Sequence, residues 1–139
     1  MPHITLEVPA SLKNEVDWNG LFKSIHVKLA NAGYGRLEDF KSRTIQMDCW
    51  QVADRDENAL LLFATLQTMN PRSPEMIRAM GAIICKALEE KVKEIANGRW
   101  LQVCVKTGST PPEDYFKVHL NAPELQPGNF QAGETNHRN

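Results

Sequence analysis

Excess charge of either sign is missing from this chain. Its 16 Lys and Arg residues nearly cancel its 17 Asp and Glu residues, leaving a net charge of −1 over 139 residues. Such a balance supplies no general attraction to nucleic acid or to an anionic membrane, so any electrostatic role has to come from local clusters. Cysteine is scarce as well. Cys49, Cys85 and Cys104 are odd in number, lack metal-type spacing and sit inside apolar segments, so all three are expected to be small buried hydrophobic residues. Long apolar runs are absent: none approaches the roughly 18 residues of a membrane span, and no basic-then-apolar signal segment opens the chain. The expected location is cytoplasmic, with no membrane partner.

What the chain does have is 42% apolar residues, enough to bury the core of one domain. His3 to Val8 alternates strictly, which argues a half-buried strand with Ile4, Leu6 and Val8 inward and Pro9 as its end. From Asp17 the period changes. Trp18, Leu21, Phe22, Ile25, Leu29 and Ala32 recur at three- and four-residue steps, giving an amphipathic helix with Asp17 as N-cap, Gly33 as stop, and Lys23 and Lys28 outside. His26 lies beside the apolar stripe as an edge residue. A second strand is expected over about Thr44 to Val52, with Ile45, Met47 and Cys49 on one face, and the preceding loop brings Lys41 and Arg43 to its entrance.

The polar cluster Asp54-Arg55-Asp56-Glu57-Asn58 marks a turn. The nearly all-apolar run Ala59 to Leu66 follows, as suits a strand covered on both faces. After the Asn70-Pro71-Arg72 loop comes a strong helix start, with Ser73 as N-cap, Pro74 in the first helical position and Glu75 in the first turn. Apolar residues from Ile77 to Ile95 carry that helix to Gly98, and Trp100 to Lys106 forms a last strand. The predicted fold is α+β: two consecutive βαβ units building a four-stranded sheet with both helices on one face. That arrangement leaves the other face, with Trp50 and half of the third strand, uncovered in one copy, so the chain is expected to associate. Residues 1–120 form the expected domain. Tyr115 to Leu120 adds an edge strand or reaches a neighbour, and residues 121–139 form a polar tail whose last ~15 residues are expected to order only against a partner subunit.

The opening Met1-Pro2-His3-Ile4 carries the chemical interest. Removal of Met1 would turn Pro2 into an N-terminal secondary amine, a titratable base on a rigid ring. The plainer reading is that Pro2 merely begins the strand, where a missing N–H costs nothing. Likewise Lys41, Arg43 and Arg72, each taken singly, read as solvated loop charges.

Together, Met1-Pro2-His3-Ile4, Leu21-Phe22, Lys41-Ser42-Arg43, Trp50-Gln51-Val52-Ala53-Asp54 and Arg72-Ser73 resemble the 5-carboxymethyl-2-hydroxymuconate isomerase family of the tautomerase superfamily. The likeness covers residues 1 to about 75 without a gap, and more loosely continues to about 120. It implies a homotrimer with active sites near subunit boundaries and no metal or organic cofactor. It also implies that the nitrogen of processed Pro2 shuttles the proton, aided by Arg72 and Lys41. Two positions depart from the family pattern: Lys41 stands where the family has arginine, and Ile45 where it has histidine.

The implied reaction sets physical demands. Isomerising an unsaturated 2-hydroxy acid to its 2-oxo form requires one group to take a proton from oxygen and return it to a distant carbon. Cations meanwhile hold the carboxylates of a di- or tricarboxylate substrate. An ordinary α-amino group titrates at about 7.7–8.0, and a secondary amine is more basic, so the site has to lower Pro2. Burial and nearby positive charge both do so, and Lys41, Arg43 and Arg72 are the candidates for that charge. The same groups would bind substrate, Arg72 in a bidentate fork and Lys41 as a point charge, with Arg43 as a further binding residue. Three other readings stand beside this one. They are another tautomerase activity on a smaller unsaturated acid, a non-catalytic interaction protein, and a nucleic-acid-binding sheet, for which the third strand lacks a basic-aromatic signature.

Overall fold

The computed structural model describes residues 1–55 and 59–121. Part of the expected polar turn, residues 56–58, and the expected tail beyond Asn121 lie outside the described residues. Strand β1 (His3–Pro9) leads through helix α1 (Trp18–Asn31) to β2 (Lys41–Met47), and β3 (Leu60–Thr68) leads through α2 (Pro74–Ala96) to β4 (Leu101–Ser109). Each unit pairs its strands in parallel, as a helical crossover requires, and the units join through antiparallel β1 and β3. The sheet order is therefore β2-β1-β3-β4, with the two first strands at the centre.

Alternation decides which face is buried. Ile4, Leu6 and Val8 point to the same side as Leu60, Leu62, Ala64 and Leu66, because Ile4 pairs with Leu66 and Leu6 with Ala64. Against that side pack Leu21, Phe22, Ile25 and Leu29 of α1 and Met80, Ile84, Ala87, Leu88 and Val92 of α2, in one continuous core. The helices start where the sequence places their caps. Asp17 accepts from the Gly20 N–H at 3.0 Å, and Ser73 accepts from the Met76 N–H at 3.1 Å. At the far end of α2, Asn97 and Gly98 both take positive φ, 48° and 80°. Arg99 closes that end by donating to the Ile95 and Ala96 carbonyls.

Several expectations need correction. Strand β2 begins at Lys41 and stops at Met47, because its register runs from His3–Lys41 to Pro9–Met47 and ends with its partner. Lys41 and Arg43 consequently lie on the strand and not in a loop before it. Trp50 is off the sheet: its indole N–H donates to the Ala59 carbonyl at 2.8 Å, and its ring packs against the core. Cys49, beyond the end of β2, is exposed, whereas Cys85 and Cys104 are half-buried. Tyr115 to Leu120 forms no strand within the subunit. Strand β3 is buried on alternate residues only, so Leu61 and Phe63 stay half-exposed on the open face. That face is also more polar than expected, because Lys41 and Arg43, Thr5 and Glu7, and Lys106 share it with Phe63 by register.

Candidate active site at the chain N-terminus

The end of the sheet where β1 starts and β3 finishes gathers the candidate residues. Pro2 and Met1 are both buried, Met1 to 3% exposure. The Pro2 carbonyl accepts from the Lys41 N–H at 3.2 Å, which ties the N-terminus to the first residue of β2. The terminal amine donates to Asn70 Oδ1 at 3.2 Å. Burial pushes this amine down from 8.0 to about 5; Arg72 adds most to that, Asp39 opposes it, and Lys117 and Lys41 add smaller amounts. An amine so placed is neutral near pH 7, the state in which it can accept a proton.

Arg72 projects from the loop between β3 and α2, one residue before the Ser73 cap. Its Nη2 donates to the Tyr34 carbonyl at 3.0 Å, while its Nη1 is buried with no hydrogen-bond partner among the described residues. A guanidinium held by one arm and left open on the other is prepared for a planar anion. Burial lowers its pKa from the ordinary value, with Asp39 opposing. Lys41 donates from Nζ to the Asp39 carbonyl at 3.2 Å and is likewise lowered by burial. Asp39 itself faces Arg36 at 3.5 Å, so its negative charge is shared.

Arg43 goes elsewhere. Its Nη1 lies 3.3 Å from His3 Nδ1, and the other ring nitrogen of His3 lies 3.0 Å from the Tyr115 hydroxyl. A guanidinium only donates, so Nδ1 accepts, and Nε2–H donates to Tyr115. Burial, then Arg43 and Lys41, push His3 down to about 4, which keeps it neutral. The structure thus brings Pro2, Arg72 and Lys41 together and places Arg43 beside them on His3. Sequence reasoning missed Asn70, His3, Tyr115 and Lys117. Asn70 lies with Arg72 in a loop already singled out, a usable signal; Tyr115 and Lys117 lie in a stretch marked only as an edge strand or a link to a neighbour. His26, the edge residue, bonds Ser42 Oγ at 2.6 Å and stacks on Phe40.

A model of the 5-carboxymethyl-2-hydroxymuconate isomerase family matches residues 2–121. The chain belongs to this family. A 5-carboxymethyl-2-hydroxymuconate Delta-isomerase of Escherichia coli is 26% identical over 117 residues, 84% of this chain and 93% of that protein. The crystal structure of a 5-carboxymethyl-2-hydroxymuconate isomerase from Deinococcus radiodurans R1 superposes with a TM-score of 0.74 at 20% identity, over 86% of this chain and 90% of that one. A fused 4-OT wild-type symmetric trimer superposes at 0.63 with 11% identity, over 83% and 90%. The fold is the one these solved structures share, and the protein is an isomerase-family enzyme. No described helix is long and apolar enough to cross a membrane.

Proposed function

We propose that this enzyme converts 5-carboxymethyl-2-hydroxymuconate, a dienol tricarboxylate, to its 2-oxo-3-ene isomer, with the nitrogen of processed Pro2 as the proton shuttle. Removal of Met1 makes the Pro2 nitrogen the terminal amine, one residue along the chain from the amine that Arg72 and Lys41 face, and vacates the space that the Met1 side chain fills. The neutral amine takes the proton of the 2-hydroxyl group. Electrons move along the diene, and the ammonium returns the proton to a distant carbon, so the enzyme ends as it began. Arg72 and Lys41 hold carboxylates and, by their charge, keep the amine unprotonated. No metal or organic cofactor is needed for these steps. The working form is a cytoplasmic homotrimer associated through the open face of the sheet.

The observation that supports this reading is that the Met1 amine, one residue from the Pro2 nitrogen, is half-buried and lowered to about 5, beside an arginine with an unused buried nitrogen. Burial and like charge are the two influences that make an amine a base at neutral pH. Turnover of 2-hydroxymuconate-type dienols, with and without the carboxymethyl arm, tests the reading. Ketonisation of both is expected, faster with the arm. Activity confined to a smaller unsaturated monoacid would contradict it.

A further inference from the structure

The connection between α1 and β2 holds one arm of Arg72. Helix α1 ends in a turn that bonds back into the helix: the Gly33 N–H donates to the Ala30 carbonyl at 3.0 Å, and the Tyr34 N–H to the Leu29 carbonyl at 3.1 Å, with Gly33 at a φ of 85°. Tyr34 is thereby fixed through its amide. Its carbonyl accepts from Arg72 Nη2 at 3.0 Å. That carbonyl belongs to the planar peptide unit shared with Gly35, so whatever fixes Gly35 also fixes the direction in which the carbonyl points.

Phe40 lies against Gly35. It is 5% exposed, and its ring fills the place of a side chain at residue 35: a Cβ there would lie 2.9 Å from Phe40 Cζ and 3.3 Å from Cε2, an approach that only glycine allows. The ring also stacks on His26 at a centroid distance of 5.9 Å, and His26 is tied to Ser42 Oγ of β2 at 2.6 Å. Its freedom to retreat is therefore small. The Phe40 N–H closes the 3-10 turn Leu37–Asp39 on the Leu37 carbonyl, and in that turn the Asp39 carbonyl accepts from Lys41 Nζ at 3.2 Å. One buried ring thus joins the loop that aims Arg72 to the turn that holds Lys41. The free arm of Arg72, Nη1, is buried with no hydrogen-bond partner among the described residues, so the plane of the fork is set by the arm on Tyr34.

Resting on the reading of Arg72 as a carboxylate-binding residue, we propose that Phe40, packed on Gly35, is a positioning residue that sets the Tyr34 carbonyl and, through it, the guanidinium plane of Arg72. NMR titration of the Met1-processed protein with pentanedioate, an unreactive dicarboxylate, tests this apart from catalysis. Gly35→Ala drives a methyl group into the ring, and Phe40→Leu removes the ring. Each should weaken binding about tenfold in the otherwise wild-type protein, and less than about twofold in an Arg72→Ala background, because the lost term is the one that Arg72 supplies. Should one variant fail to fold, the other decides. An equal loss in both backgrounds, as a merely loosened fold would give, overturns the proposal, and so does unchanged binding in a folded single variant. Turnover measured in parallel separates the two readings. If the loss depends on Arg72 but the wild-type protein turns over no dienol, the isomerase reading falls and the positioning role stands. In an active enzyme, both variants should raise KM more than they lower kcat.

Discussion

At the scale of single residues, the terminal amine and His3 are kept neutral by burial and neighbouring cations. Arg72→Ala should raise KM and lower kcat/KM by the equivalent of about 2–5 kcal/mol, because the substrate carboxylate loses a buried partner. Lys41→Ala should cost less, since an ammonium is less directional. Steady-state kinetics on both variants checks the order, and wild-type kinetics in folded Arg72→Ala would remove that residue from the site. His3 gives a separate prediction, for stability. The unfolded chain takes up a proton on His3 near 6.5, and the folded chain only near about 4. Between those values the unfolded state holds more protons, so the contribution is whole above 6.5 and is lost as pH falls toward 4. Urea midpoints measured across that range should decline less steeply in His3→Asn; identical slopes would show that another group is responsible.

At the scale of elements, local chemistry and periodicity agree for both helices and for β1, while the all-apolar run of β3 marks a strand but not which of its faces is covered. Ser73-Pro74-Glu75 announced the start of α2, and Asp17 that of α1, because capping needs only nearby residues. The second strand was harder to place. Its limits follow from pairing with β1, a contact between distant residues that no local pattern encodes, so local pattern alone puts Lys41 and Arg43 in a loop and Trp50 on a sheet face. The candidate site was legible in Pro2, Lys41 and Arg72 through their likeness to a family. Tyr115 was not, because a 3-10 turn after β4 brings it back to His3 of β1. Ser73→Ala should destabilise the fold by about 1 kcal/mol through loss of the α2 cap. As Arg72 is the adjacent residue, the same variant should also raise KM. Urea unfolding and kinetics on one preparation measure both effects.

At the scale of the whole molecule, an open sheet face bearing Leu61, Phe63 and Ile45, together with the exposed stripe of Phe116, Val118 and Leu120, asks for a neighbour. Sedimentation equilibrium at micromolar concentration should show three copies of the 15.7 kDa chain, and a stable single copy would count against assembly through that face. The central claim concerns the terminus of each copy. Retained Met1 makes the Pro2 nitrogen a tertiary amide with no usable basicity, while processed Pro2 presents a free amine. The decisive measurement is kcat/KM on 5-carboxymethyl-2-hydroxymuconate for the two forms, each verified by intact mass. The processed form should be faster by about a hundredfold or more. Equal rates would mean that another group moves the proton.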